Sequence, residues 1–157
     1  MATAPTAGAT PDASAAVSAA ERESRLLAAV EASPVGADHG RALCALGGYV
    51  AQDPTRRAEA TRLLGEAMTA CRDAQDVSGD GEACVRLGEL FLLARDPDAA
   101  RGYLHWARRC FREAEHAPGT ARTLFDLGEL TRLDGEIDAA RIRFTSALAA
   151  FEGRLPS

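Results

Sequence analysis

The sequence predicts an all-α fold, namely a right-handed solenoid of helical hairpins with about seven helices. The composition favours helices, because alanine, leucine, arginine and glutamate dominate the 157 residues and β-branched residues are sparse. Apolar residues recur at helical spacing along most of the chain. In addition, the stretch LGELFLLARDPDAA at residues 87–100 returns 40 residues later in the similar form LGELTRLDGEIDAA. A recurrence at a fixed spacing is typical of repeat proteins.

The first segment, residues 1–16, is rich in alanine, threonine, proline and serine, which predicts a disordered leader. Ser18 and Glu21 have the spacing of a capping box. A lone first helix is therefore expected over residues 17–32, where apolar residues recur at helical spacing. The solenoid as a whole is expected to span residues 17–157.

The first helical hairpin is expected at about residues 40–74. Asp38 is placed to cap its first helix, after a loop rich in helix breakers. The pair Asp53-Pro54 ends that helix and opens the next, because aspartate suits the N-cap and proline suits the first turn. The second helix has a stripe of residues that should be buried: Leu63, Leu64, Ala67 and Cys71.

The second hairpin is expected at about residues 80–117, after the loop DAQDVSGDGE. This loop has the alternating polar positions of a calcium-binding loop, at Asp76, Ser78, Asp80 and Gly81. However, Leu87 stands at the twelfth position, where an EF-hand needs a glutamate. We therefore expect a solvated turn that caps the next helix, and no metal site. Asp96-Pro97 then separates the two helices of the hairpin.

The third hairpin is expected at about residues 120–154, with a turn at Asp134-Gly135 between its helices. Across the hairpins, four cysteines fall within periodic helical segments and form no C-x-x-C pair: Cys44, Cys71, Cys84 and Cys110. We expect them to be buried, reduced thiols, which fits a cytoplasmic protein.

The three hairpins align on a Leu-Gly pair, found at Leu46-Gly47, Leu87-Gly88 and Leu127-Gly128. The steps between the pairs are 41 and 40 residues. In the second helices, Ala100 matches Ala140, and a one-residue insertion moves Ala60 toward the same place in the first hairpin. Further positions match in three sets: Leu64, Ala67 and Cys71; Leu104, Ala107 and Phe111; Phe144, Ala147 and Phe151.

This pattern resembles the tetratricopeptide repeat, a family that also has Leu-Gly in its first helix and alanines and aromatics in its second. The resemblance covers about residues 40–154, and the 40–42-residue period is similar to that of the long-helix subclass. It implies that small residues let paired helices approach closely, and that the lone first helix covers the first hairpin. It also implies a concave groove, lined mainly by the first helix of each hairpin, for a peptide or helix of a protein partner.

The family's groove positions, carried onto this chain, give a set of candidate partner-binding residues. They are Arg41, Glu82, Glu89, Leu92, Leu93, Arg122, Phe125, Glu129, Arg132 and Leu133, with Cys44, Gly48, Ala51, Gln52 and Val85 at the remaining positions. Glu89 and Glu129 lie on neighbouring repeats and repel each other unless a cation lies between them. That cation is either a basic residue of the partner or an arginine of the chain itself, namely Arg86, Arg122 or Arg132.

Several functions are not expected. The net charge of −5 argues against nucleic-acid binding, and no apolar run is long enough to span a membrane. The chain has no lysine and no asparagine, the residues with which chaperone-binding members of the family hold a C-terminal carboxylate. The three histidines, His39, His105 and His116, have no evident nucleophile or metal partner, so we expect neither catalysis nor a cofactor.

The expected function is therefore that of a non-catalytic scaffold or regulatory adaptor. Two alternatives stay open. One is a sensor or accessory module that binds a small signalling peptide or metabolite. The other is a self-assembling protein that forms a homodimer through its last helix, using Ile142, Phe144, Leu148 and Phe151. Trp106 either packs internally or is an exposed contact.

Overall fold

Seven α-helices make up most of residues 13–153, the part of the chain that the computed structural model describes. They are α1 (Ala13–Ala32), α2 (Gly36–Val50), α3 (Arg57–Asp73), α4 (Val77–Leu93), α5 (Pro97–Glu113), α6 (Ala117–Leu133) and α7 (Ile137–Phe151), with a short 3-10 turn at Pro54–Arg56. The described residues include no strand. The prediction of an all-α fold with seven helices is confirmed.

Helix α1 extends further toward the N-terminus than the sequence indicated, since it begins at Ala13. Ser18 lies inside it, so the predicted capping box with Glu21 does not start the helix. Residues 1–12, where most of the predicted leader falls, lie outside the described residues. The side chain of Tyr49 on α2 donates a hydrogen bond to the Ala19 carbonyl at 2.8 Å, and Arg56 pairs with Glu23 at 2.7 Å. These contacts fix α1 against the first hairpin.

The four connections after α3, α4, α5 and α6 share one backbone geometry. Two positions after each helix ends there is a residue with positive φ, and these residues recur every 20 positions: Gln75 (56°), Arg95 (59°), Glu115 (51°) and Gly135 (84°). In each case the next residue's N–H donates to the carbonyl five positions earlier, at 2.8–3.1 Å, as in a Schellman motif. The same short link therefore joins helices both within and between hairpins.

The residue after each positive-φ position is the N-cap of the next helix. Asp76 and Asp96 accept hydrogen bonds from the backbone N–H three residues on, at 3.1 and 3.0 Å. His116 does the same through Nδ1, toward Gly119 at 3.0 Å. His116 thus caps the start of α6. Asp53 also caps as predicted, accepting from the Thr55 N–H at 2.9 Å.

Within each hairpin the helices touch where the sequence repeats its glycine. A Cβ atom added to Gly47, Gly88 or Gly128 would lie 2.8, 2.7 or 2.6 Å from the side chain of Leu64, Leu104 or Phe144 respectively. Ala60, Ala100 and Ala140 are buried at equivalent positions. The predicted stripe of Leu63, Leu64, Ala67 and Cys71 is buried too. Small residues therefore set the close spacing of the paired helices.

The four cysteines are buried and free, as predicted. Burial raises the pKa of the thiols of Cys44, Cys71 and Cys110 to about 11, and it raises the pKa of Cys84 further still. The thiols are therefore protonated at neutral pH and act as small apolar side chains.

Asp80 connects three helices where the first two complete hairpins meet. Its carboxylate is only 5% exposed and accepts hydrogen bonds from Trp106 Nε1 at 2.9 Å and from Arg72 Nη2 at 3.3 Å. The thiols of Cys84 and Cys110 point at the same carboxylate, at 3.6 and 3.8 Å. The bond to Trp106 links α4 to α5 within the second hairpin, and the contact with Arg72 on α3 links Asp80 to the first hairpin. We call these five residues the Asp80 cluster.

The Asp80 cluster corrects two expectations. The expected solvated turn at DAQDVSGDGE is wrong beyond its first residues, because α4 begins at Val77 and Asp80 is buried inside it. Trp106 is neither fully buried nor a free contact: it is 39% exposed, and its ring has the guanidinium groups of Arg72 on α3 and Arg109 on its own helix at 5.1 and 5.3 Å. A smaller correction concerns α2, where Val35 is the N-cap and Asp38 lies in the first turn.

Candidate functional site

The first helices of the three hairpins form one continuous face. Helix α2 contacts α4, and α4 contacts α6, whereas the second helices α3, α5 and α7 make no comparable contacts with one another in the described part of the chain. A layer of hairpins that touch along one side and separate along the other is curved, with the touching helices on its concave side. We call this concave side the groove.

Three rows of residues run along the groove, one on each first helix. The rows follow the spacing i, i+4, i+7 and i+11, which keeps them on one side of a helix. They are Arg41, Ala45 and Gly48 on α2, with Gln52 in the turn that follows it; Glu82, Arg86, Glu89 and Leu93 on α4; and Arg122, Asp126, Glu129 and Leu133 on α6. Equivalent positions of neighbouring rows are 41 or 40 residues apart.

Ion pairs link the rows of α4 and α6 across the hairpin boundary. Arg122 pairs with Glu82 at 3.1 Å and with Glu89 at 2.6 Å, and Glu82 also pairs with Arg86 at 3.0 Å. Glu129 pairs within its own helix, with Arg132 at 2.8 Å. The two repeated glutamates therefore each have an arginine of the chain, so internal pairing is the alternative that the geometry supports. All these side chains are partly exposed, so each pair contributes little stability.

Asp126 is the charged residue of the groove that these pairs leave out. Its Oδ2 is buried and has no hydrogen-bond partner among the described residues. Burial raises the pKa of this carboxyl to about 7; the charges of Glu89 and Glu129 raise it too, while that of Arg122 opposes the shift. The groove positions carried over from the resemblance placed Phe125 at this point of α6 and did not include Asp126. Counting one helical turn back from Glu129 would have found it.

Two hollows lie side by side between α2 and α4. One, of about 210 Å³, is lined by Gly48, Ala51, Gln52, Arg86, Glu89, Leu90 and Leu93; the other, of about 120 Å³, by Arg41, Cys44, Ala45, Gly79, Glu82 and Arg86. They exist because α2 presents small residues to the groove. Arg86 borders both hollows, and its guanidinium covers Gly48 so closely that a Cβ there would collide with it.

Exposed leucines complete the groove at the C-terminal ends of α4 and α6. Leu93 is 69% exposed and Leu133 is 63% exposed, although both belong to otherwise well-packed helices. Leu92 is half-buried against the core formed with Leu104 and Leu130, so it offers less surface than predicted. Arg132 lies beside these residues through its pair with Glu129.

The remaining predicted positions lie elsewhere. Val85 is buried, so the expectation that it lines the groove is wrong, whereas Cys44 is buried but forms part of the wall of the smaller hollow. Phe125 occupies the equivalent position of the last hairpin, where it is exposed and its ring lies 5.3 Å from that of Phe144. Arg41 is engaged by Asp76 at 2.7 Å, at the edge of the groove. In each hairpin, the residue two places before the Leu-Gly leucine therefore lies to one side of the groove row, toward the side chains packed between the helices.

A larger hollow, of about 610 Å³, lies between α2 and α3 and is wide open. His39, Leu43 and small residues such as Gly65 and Ala70 line it. Nδ1 of His39 is buried there without a hydrogen-bond partner. Its walls come from a single hairpin. Its other polar residues, Thr61, Arg62, Glu66, Thr69 and Asp73, all lie on α3, where Arg62 pairs with Glu66 and the two threonine hydroxyls donate to carbonyls of their own helix. The groove, with charged and apolar residues from three hairpins, is therefore the better candidate site.

The described side chains include no group of three or more histidine, cysteine, aspartate or glutamate residues placed to hold a metal ion. None of the helices in the described range is long and apolar enough to cross a membrane. A comparison with protein families found that the tetratricopeptide-repeat model matches residues 81–153, which include most of α4 and all of α5, α6 and α7. No curated protein and no solved structure matched the chain.

Proposed function

Because residues 81–153 are tetratricopeptide repeats, modules that mediate protein–protein interactions, we propose that the chain is a non-catalytic scaffold or adaptor whose groove binds a partner protein. The observation that carries the proposal is the combination of Leu93 and Leu133, both exposed, with a hollow between α2 and α4. A peptide or an amphipathic helix would bury the leucines and place one side chain in the hollow.

The size of the hollow favours a peptide over a metabolite. Pockets for small molecules are typically about 300–1,000 Å³ and enclose most of the ligand. The larger groove hollow has about 210 Å³ and is open along the groove. A sensor function for a metabolite is therefore the weaker alternative. We expect no nucleic-acid partner, given the net charge of −5, and the four free buried thiols support a reducing, cytoplasmic location.

The proposal is tested by selecting binders from a random dodecapeptide library displayed on phage, with the full chain immobilised. Selected peptides are then measured against Leu93→Asp and Leu133→Asp. Burial of a leucine contributes about 1.5–3 kcal/mol, so each substitution should weaken binding about ten-fold or more. The matched control is Leu27→Asp, because Leu27 is 47% exposed on α1, which contributes no residue to the groove or to the last helix. Binding that is lost equally with all three variants, or with none, would refute groove recognition.

Self-assembly through the last helix is a second candidate, and one comparison within the chain favours it. Phe111 is 1% exposed because it packs against the start of the next hairpin, at Gly119. Its equivalent, Phe151, is 75% exposed, and Leu148 and Ile142 are exposed on the same helix. Phe144 is not free for such a contact, since it packs on Gly128. Light scattering of the wild type and of Phe151→Glu measures this directly: a dimer in the first that is a monomer in the second supports self-assembly.

A further inference from the structure

Along α4 and α6 the groove has one more carboxylate than it has arginines, and the one spare arginine donor buried there, Nε of Arg86, bonds to none of the carboxylates. Its charged residues on α4 and α6 are four carboxylates, Glu82, Glu89, Asp126 and Glu129, and three arginines, Arg86, Arg122 and Arg132. All three arginines are already paired with Glu82, Glu89 or Glu129. Asp126 is left with a buried oxygen that has no donor among the described residues.

This arrangement is unfavourable in the free chain. A buried carboxylate oxygen without a hydrogen bond loses its hydration and gains nothing in return. Glu89 and Glu129 add negative potential at the same place, and Arg122 is drawn toward Glu82 and Glu89. A positive charge brought by another molecule would relieve both effects.

We propose that Asp126 is the anchor for an arginine or lysine side chain of the segment that binds in the groove, with an apolar residue of the same segment lying on Leu93 and Leu133. The inference rests on the proposed function and adds the chemistry of the partner. Charge complementarity selects the occupant, because the groove offers exposed apolar surface beside an uncompensated negative charge.

The geometry of the carboxylate suits a guanidinium group. Aspartate rotates easily about its last torsion, so Oδ1 and Oδ2 can exchange places and both can face an incoming fork of two N–H donors. Asp126 as a whole residue is partly exposed, so rotation of its carboxylate does not disturb the hydrophobic core. Leu93 and Leu133 lie one repeat apart, on α4 and α6. Neighbouring packed helices lie about 8–10 Å from each other, and about three residues of extended chain span that distance.

The pKa of Asp126, raised to about 7, adds a pH dependence. The charged groups acting on it are Glu89 from α4 and Arg122 and Glu129 from α6. Below pH 7 the free carboxyl is largely protonated, and a bound cation would have to displace that proton. Affinity for a basic peptide should therefore increase from pH 6 to pH 8, and the increase should disappear in Asp126→Asn.

The test uses the tightest histidine-free peptide from the library selection, and an analogue in which its arginine is replaced by the neutral isostere citrulline. Both are titrated calorimetrically against the wild type, Asp126→Asn and the control Asp98→Asn, whose carboxylate is exposed on α5. We expect Asp126→Asn and citrulline each to weaken binding about ten-fold, and the combination to weaken it no further. Asp98→Asn should leave the affinity unchanged.

The outcomes separate the two proposals. If peptides depend on Leu93 and Leu133 but contain no basic residue, or if the effects of citrulline and Asp126→Asn simply multiply, the Asp126 anchor is refuted while groove binding stands. If no selected peptide depends on the leucines, the proposed function fails and the anchor fails with it. Because Asp126→Asn removes an unfavourable charge, loss of folding does not complicate the result.

Discussion

Replacing Asp80 by alanine should destabilise the chain more than replacing any other single aspartate or glutamate among the described residues. The substitution removes the acceptor of the indole N–H of Trp106, a side chain that is 39% exposed. It also releases Arg72 and the two thiols of the Asp80 cluster. The structure allows each loss to be weighed separately.

The indole–carboxylate bond is short, at 2.9 Å, and has a charged acceptor, so its loss should cost about 1.5–3 kcal/mol. The Arg72 side chain is half exposed and its contacts are 3.3–3.4 Å long, so they add only about 0.2–1 kcal/mol. The thiols are weak donors and are neglected. We therefore expect Asp80→Ala to lower the free energy of unfolding by about 2–4 kcal/mol.

Urea titration followed by circular dichroism at 222 nm and by tryptophan emission measures the effect. Trp106 is the single tryptophan, so its emission reports on the Asp80 cluster, while the dichroism reports on all helices. Asp80→Asn should lose about half as much, because its amide oxygen can still accept from the indole. Asp73→Ala, at the exposed end of α3, is the control and should change stability by no more than about 0.5 kcal/mol. A loss below about 1 kcal/mol for Asp80→Ala would refute the view that this carboxylate stabilises the junction of α3, α4 and α5.

Two further predictions concern the groove and the packing. The pKa of Asp126 is raised from 3.8 to about 7 by burial and by Glu89, so its contribution to stability is full below pH 3.8 and is lost as the pH rises through 7. The urea midpoint of Asp126→Asn should therefore rise relative to that of the wild type between pH 5 and pH 8. A difference between the two midpoints that stays constant with pH would contradict the raised pKa. Gly88→Ala should destabilise by about 1–3 kcal/mol, because its Cβ would lie 2.7 Å from Leu104, whereas Gly102→Ala should stabilise by about 0.5–1 kcal/mol, because nothing lies within 4 Å. Thermal melts of the two glycine variants test the pair, and equal shifts would argue against close helix packing.

The packing of the hairpins could be predicted from the sequence because it depends on residues at fixed positions in each repeat. The repeated glycines contact the repeated large residues of the second helices, and both sets can be aligned from the sequence alone. The pairs are Gly47 with Leu64, Gly88 with Leu104, and Gly128 with Phe144. The helix caps Asp53 and Asp96 were likewise local, since an N-cap and its donor lie two or three residues apart.

The polar environments could not be predicted in the same way, since they combine residues from different helices. Asp80 stands in a stretch of polar residues and glycines, and only Trp106, 26 positions later, makes it a buried acceptor. Asp126 looks like an ordinary exposed helical aspartate until Glu89 and Arg122 are placed around it. The groove positions taken from the family were also shifted by one residue at Cys44, Val85 and Phe125, and that shift left Asp126 out.

The uniform links between helices have a consequence for how the chain can change its length. Residues 76–115 begin at the N-cap Asp76 and end at Glu115, a positive-φ residue of the same kind as Gln75. A duplicate of this 40-residue unit inserted after Glu115 would start and finish on the backbone conformation that the chain already has there. Genetic duplication of whole hairpins would thus lengthen the groove without the need for a new joint. The near-copy at residues 87–100 and 127–140 is the sequence trace that such an event would leave.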